Sequence, residues 1–427
     1  LLGVVATLAG MWTPGRTRLR RGLLALAALA LVLTGCTAST DSHVPRASGA
    51  TSAPSSEPVP TQPPGPRWVV TLGDSYISGE GARWGGNTAG PAGKVDALGP
   101  DAYFDAGGSE RAPGCHRAQQ SIATLDAPGV KGKNFACSGA QVTSDDAGVR
   151  FRPGLDFFND RQGHLGQALA LQRFAADHLV TDVIVSIGGN DFGFGAIASR
   201  CVSTFLSTAG GSPRNCKDDP ALATVFGADH ARQVRAKIAH ALGRVVEAMR
   251  RAGYASSDYR LLVLTYPSPI PPGGQLRYAE DRRYTVGGCP LFAADATWAN
   301  DTVLTTINGA VTDAVHSIGA GNVSVLDLSR ALVGHRLCER GAHQLQETSL
   351  ANWRAPGAAG RLEWVNKVYF SFAPWQFQES LHPDYWGMAA ERACVMLVLE
   401  AEAKPSYRCV GDGSALRDHA PSMRLLG

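Results

Sequence analysis

Four short apolar runs punctuate the chain, with longer amphipathic stretches between them. RWVVTLG (67–73), DVIVSIGG (182–189), YRLLVLTYP (259–267) and NVSVLDL (322–328) are continuous enough to be strands buried on both faces. The longest helical pattern runs from Asp229 to Gly253, with Val234, Ile238, Leu242, Val245 and Met249 on one face and Gly253 as its stop. Two more helices are predicted over His164–His178 and Tyr385–Ala403. Strands alternating with helices indicate an α/β fold: a central parallel sheet in a three-layer α/β/α sandwich of the flavodoxin-like kind. In such folds ligands sit beyond the carboxyl ends of the strands. Two long polar, Gly-rich connections, Gly81–Pro113 and 271–290, are placed to wall a cleft.

The pattern changes before residue 67. RTRLRRGLLALAALALVLTGC (16–36) joins a basic segment to a short apolar run, which is a secretory signal pattern. The run is shorter than the roughly 20 residues a membrane span needs. Leu33-Thr34-Gly35-Cys36 is similar to the lipobox of bacterial lipoproteins, which implies lipidation at Cys36 and an extracytoplasmic membrane anchor. Plain secretion is the alternative. Arg20-Arg21 weakly resembles a twin-arginine signal, with Sec export as the other route. The first methionine is Met11, which points to a start there, with residues 1–10 as an over-extended reading frame. Residues 37–66 are rich in Ser, Thr, Pro and Ala and cannot bury a core, so they read as a disordered tether of roughly 30 Å. The folded body is expected over 67–410, followed by a flexible tail at 411–427.

Composition narrows the partners. Formal net charge is +3, and the four leader arginines account for more than all of it, so the body is close to neutral. That argues against nucleic acid as a partner. Beyond Cys36, eight cysteines remain: Cys115, Cys137, Cys201, Cys216, Cys289, Cys338, Cys394 and Cys409. An even number in an exported chain suggests disulfides, with about 105 possible connectivities. Pairing sequence neighbours is one of them. No C-x-x-C and no H-E-x-x-H occurs, so neither a metal nor a cofactor is expected.

The chemistry begins at VVTLGDSYISGEG (69–81), where the first predicted strand ends in Gly-Asp-Ser. This is not the G-x-S-x-G elbow, because Ile77 stands where that turn needs glycine. Three further stretches follow in order: NFACSGAQ with Gly139, GGND with Asn190, and QESLHPDYWG with His382. Ser, Gly, Asn and His in this order, each in its strand or loop context, resemble the SGNH/GDSL hydrolases over most of residues 67–402. The flanks GDSYISGEG and GGCPLFAADATWAN look like the secreted actinobacterial branch, which also fits the sequential cysteine pairing. The resemblance implies an exported serine esterase or lipase. Ser75 is the nucleophile and His382 the general base. The backbone N–H groups of Ser75 and Gly139 and the Asn190 amide form the oxyanion hole. A serine hydroxyl needs such a base, and an ester's tetrahedral intermediate needs such donors.

One position departs from the pattern. The family usually carries D-x-x-H, and here that place holds Glu379. Its carboxylate is expected to orient His382, with a backbone carbonyl from the same position as the alternative. Asp384 reads as a helix cap. Asp74 and Asp191 read as loop-fixing residues, and His116 as a solvated loop histidine. The aromatics Trp364, Tyr369, Phe370, Phe372, Trp375, Phe377, Tyr385 and Trp386 would form an acyl pocket, a sugar platform, or ordinary packing. The substrate is a small-molecule or lipid ester, the protein a monomer. A carbohydrate O-acetylesterase is the same-chemistry rival. A non-catalytic cell-surface binding protein is the distant one.

Overall fold

The apolar run 67–73 is strand β1 (Arg67–Gly73), and it pairs in parallel with both β2 (Val130–Asn134) and β3 (Val180–Ser186). In the computed structural model the described residues are 62–426, apart from 88–91, 104–112, 126–127, 149, 209–210, 212–213, 370–376 and 413–419. The leader, Met11, Cys36 and the tether to residue 61 lie outside them, as do Phe370, Phe372 and Trp375. The sheet continues through β4 (Arg260–Leu264), β5 (Val323–Asp327) and β6 (Ser406–Gly411), all parallel, to β7 (Met423–Leu426), which is antiparallel. The strand order is β2-β1-β3-β4-β5-β6-β7.

Alternate residues of each strand face opposite layers. Val70, Leu72, Val183, Val185, Leu261 and Val263 pack on one side against α2 (Gln167–Asp177), α4 (Ala228–Arg251) and α5 (Thr305–Ile318). Val69, Ile184, Leu262 and Leu326 pack on the other against α6 (Tyr385–Glu400). The expected three-layer α/β/α architecture is therefore present, and it explains why the strands read as unbroken apolar runs. On α4 the five face residues are all buried, and the helix closes with Gly253 N–H to Arg250 O and Tyr254 N–H to Met249 O.

Two elements differ from the sequence reading. The segment 411–427 was expected to be a flexible tail, yet it supplies β7, whose Met423–Leu426 pairs with Arg408–Gly411. Strand β6 itself is short, with only Tyr407 and Cys409 buried, which leaves a weak hydrophobic pattern. Pairing sequence neighbours does give the disulfides: Cys115–Cys137, Cys201–Cys216, Cys289–Cys338 and Cys394–Cys409. The last ties α6 to β6. In the chain-entropy account, loops of this size stabilise by about 3–4 kcal/mol each. Among the described residues no helix is long and apolar enough to cross a membrane.

Candidate active site

The order β2-β1-β3 reverses direction at β1, and the exits of β1 and β3 flank that switch. Ser75 follows β1 directly and opens the short helix α1 (Ser75–Ser78), while Asn190 lies in the turn after β3. Gly73 makes the sharp exit possible. Its φ is +132°, and a Cβ there would sit 1.9 Å from Ser186 O, inside the neighbouring strand. The Gln167 side chain brackets the same residue, accepting from Gly73 N–H at 2.7 Å and donating to Gly73 O at 2.9 Å. Asp74 caps α1 by accepting from Tyr76 N–H. It also accepts from Tyr266 Oη at 2.5 Å, and that hydroxyl accepts from Gly189 N–H at 2.9 Å. One chain of bonds thus fixes the Ser75 turn to the Asn190 turn.

His382 reaches this point from the far end of the sequence. Its Nε2 lies 2.8 Å from Ser75 Oγ, within general-base reach. Leu381, just before it, has a φ of +64°, a conformation costing a non-glycine residue about 1–3 kcal/mol. Tyr76 Oη holds that residue by donating to Leu381 O at 2.9 Å. Asp384 caps α6 by accepting from Trp386 and Gly387 N–H, so His382 is anchored on both sides. Burial pushes the His382 imidazole below its ordinary value, against the raising influence of Glu80. It is therefore neutral, and able to accept a proton, at neutral pH.

Glu379 is not where the sequence reading put it. Its carboxylate accepts from Trp84 Nε1 at 2.7 Å and from Tyr103 Oη at 2.5 Å. His382 Nδ1 instead faces the carbonyl of Ser380 at 3.1 Å, one residue past the expected position. The reason is local: Trp84 and Tyr103 offer the carboxylate two donors, turning it away from the imidazole. Replacing a true triad carboxylate by its amide costs roughly 10⁴-fold in kcat. Glu379→Gln is expected to change kcat by less than about tenfold, measured by steady-state kinetics on a soluble ester.

Gly139 lies in the turn after β2 with a φ of +77°, beside the Cys115–Cys137 bridge. The Asn190 Nδ2 donates to Ala140 O at 2.9 Å, which joins the Gly139 and Asn190 turns. Asp191 accepts from Val142 N–H at 3.2 Å and supports the same junction. His116, read from sequence as solvated, is buried and pairs with Glu80 (Nδ1–Oε1 2.7 Å) while stacking on Tyr103. Nothing in the sequence around Cys115 signals that pairing, because its partner lies on a different loop.

Ser75 and Asn190 line a cleft of about 880 Å³ including its solvent-open part. Its walls are apolar: Phe194 and Ile197 of α3 (Phe194–Thr208), Pro269, Trp298, Val303 and Ile307. The backbone at 299–304 is a π-helical segment, a form that is frequent at functional sites. Polar groups on these walls are already engaged. Ser268 donates to Asn300 at 2.6 Å, and Asp295 accepts from Cys216 and Lys217 N–H. Of the aromatics in 364–386, the described ones, Trp364, Tyr369, Phe377, Tyr385 and Trp386, do not line the cleft; Trp364 stacks on His335 and Trp386 packs near Trp353. Among the described residues of the loop after Gly81 none lines the cleft, and Trp84 of that loop donates to Glu379. Among the described residues no cluster of three or more His, Cys, Asp or Glu is arranged to hold a metal ion.

Burial raises several carboxyls around the site: Asp74, Glu379 and Asp384 to about 7, and Asp191 to about 6. Between their ordinary values and these, the folded protein keeps protons that the unfolded chain has released. Stability is then full at low pH and is lost as pH rises through about 6–7. His382 and His335, both lowered by burial, oppose this below their ordinary value of 6.5. Four carboxyls outweigh two imidazoles, so the thermal midpoint at about pH 5.5 is expected to exceed that at about pH 8, by calorimetry.

No known protein family matches this chain by sequence, and no curated protein does. Solved structures that resemble it include an extracellular lipase from Streptomyces rimosus, 19% identical with a TM-score of 0.41, covering 77% of this chain and 98% of that one. Another is phospholipase A1 from Streptomyces albidoflavus, at 20% and 0.39, covering 79% and 100%. A carbohydrate acetylesterase from Sinorhizobium meliloti follows at 12% and 0.26, covering 61% and 83%. All three likenesses are distant.

Proposed function

We propose that this protein is a serine ester hydrolase of the SGNH/GDSL kind, acting on esters with an apolar acyl chain. The observation that carries this is Ser75 Oγ at 2.8 Å from His382 Nε2, on the wall of an apolar cleft. His382 Nε2 takes the hydroxyl proton as Oγ attacks the ester carbon. The Ser380 carbonyl accepts from Nδ1–H and keeps the ring in the tautomer whose Nε2 is free. The oxyanion is met by the N–H groups of Ser75 and Gly139 and by the Asn190 amide. Collapse breaks the C–O bond to the alcohol, which leaves with the proton from His382. Water, deprotonated by the same imidazole, then releases the acid and restores Ser75. No group beyond these residues is required.

The cleft supports the acyl preference, because its wall offers apolar surface and few unengaged polar groups. Each methylene it buries contributes about 0.8 kcal/mol, or about fourfold in kcat/KM where burial is kept in the transition state. The test is a series of p-nitrophenyl esters from acetyl to dodecanoyl. Rates should climb from acetyl toward butyryl and octanoyl; a clear acetyl preference would favour the carbohydrate deacetylase reading. We place the enzyme outside the cytoplasm, tethered through Cys36, on the leader sequence and the four disulfides. Cys36→Ala should move it from the membrane fraction to the medium.

A further inference from the structure

Among the described residues no carboxylate is hydrogen-bonded to the base of this site. Its Nδ1 faces a neutral carbonyl, and Glu379 is bonded elsewhere. Yet a second acid stands close by in the fold. Glu80 follows α1 by two residues and its side chain is fully buried. The neighbouring backbone is packed onto the base, since a Cβ at Gly81 would lie 3.1 Å from His382 Cβ. Asn366 Nδ2 clamps the two segments by donating to both Gly81 O and His382 O. Glu80 Oε1 meets His116 Nδ1 at 2.7 Å, and Cys115 beside that histidine is bridged to the Gly139 turn through Cys137.

We propose that Glu80, held by His116, is a positioning residue for the reaction: a fixed buried negative charge that steadies the His382 imidazolium, in place of a contacting triad carboxylate. The inference rests on the ester hydrolase reading above. Burying an acid and an imidazole together is costly, and an apolar pair would fill the same space without that penalty. Placing the pair between nucleophile turn, oxyanion turn and base is explained by a charge that is needed when His382 becomes positive. In a water-poor site such an attraction acts at longer range than in solution. Burial raises the Glu80 carboxyl, but its pairing with His116 holds it below its ordinary value, so it stays ionised. His382 in turn feels Glu80 as a raising influence and His116 as a smaller lowering one. Of the other titratable groups, Tyr76 packs against the base (ring centroids 4.9 Å apart), and Tyr103 and Glu379 stand beside His116 and Glu80.

The experiment is the pH profile of kcat and kcat/KM for Glu80→Gln and His116→Gln with a p-nitrophenyl ester, read at a pH-independent wavelength. Glu80→Gln keeps the shape and removes the charge. It should lower plateau kcat about tenfold or more with KM unchanged, and move the acid limb to lower pH. His116→Gln keeps the carboxylate and a donor but removes the imidazole whose influence lowers His382, so its acid limb should move to higher pH. Opposite shifts support the proposal. An unmoved limb in either folded variant, or a Glu80→Gln loss confined to KM, overturns it; if Glu80→Gln does not fold, the His116→Gln limb decides. Wild-type protein that takes no fluorophosphonate label would instead sink the hydrolase reading itself, so the two failures are distinguishable.

Discussion

Ser75→Ala is expected to lower kcat/KM on an ester by roughly 10⁴-fold or more, with the fold unchanged. Among the described residues Ser75 Oγ has one hydrogen-bond partner, His382 Nε2, and the residue's structural bonds run through its backbone. Ser75 O accepts from Glu80 N–H, and that bond survives the substitution. The alanine fits a helical position after the Asp74 cap, so circular dichroism and the thermal midpoint should stay near wild type. Only the nucleophile is lost. The residual rate reports what oxyanion donors and substrate binding do alone. A variant that keeps more than about a tenth of wild-type turnover would mean that Ser75 is not the attacking group.

Asn190→Ala is the second large effect, about 10²–10³-fold in kcat with little change in KM. The amide lines the cleft beside Ser75. One of its N–H bonds goes to Ala140 O, and the proposed mechanism assigns the other to the developing oxyanion. Its turn is held by Gly189 N–H donating to Tyr266 Oη, which is bonded to Asp74. The loss should appear in kcat because the donor meets charge that develops only in the transition state. An effect of similar size on KM alone would identify Asn190 as a ground-state binding residue instead.

Much of this was legible in the sequence, for physical reasons. Strands buried on both faces produce continuous apolar runs, so β1, β3, β4 and β5 announce themselves. The long helix shows its apolar stripe and its Gly253 stop. Ser75 and His382 stood out because their motifs, in order with those of Gly139 and Asn190, resemble the SGNH/GDSL hydrolases. What escaped were interactions between distant loops. The Glu80–His116 pair joins residues 36 apart on two irregular segments. Glu379 has the right spacing to serve His382, but spacing carries no information about Trp84 and Tyr103, which approach from a loop nearly three hundred residues earlier. The apolar cleft is likewise assembled from α3, the 267–270 stretch and the π-helical segment, none of which reads as a pocket alone. Strand β7 was missed because four residues, one buried, one exposed and two half-buried, make no pattern.

The central claim is that Ser75 is an activated nucleophile. Its most direct test is to react the protein with a fluorophosphonate at neutral pH and map the adduct by peptide mass spectrometry. The expected result is one adduct per chain, on Ser75, absent from Ser75→Ala and slowed in His382→Ala. Wild-type protein that stays unlabelled, or carries its label on another residue, would contradict it.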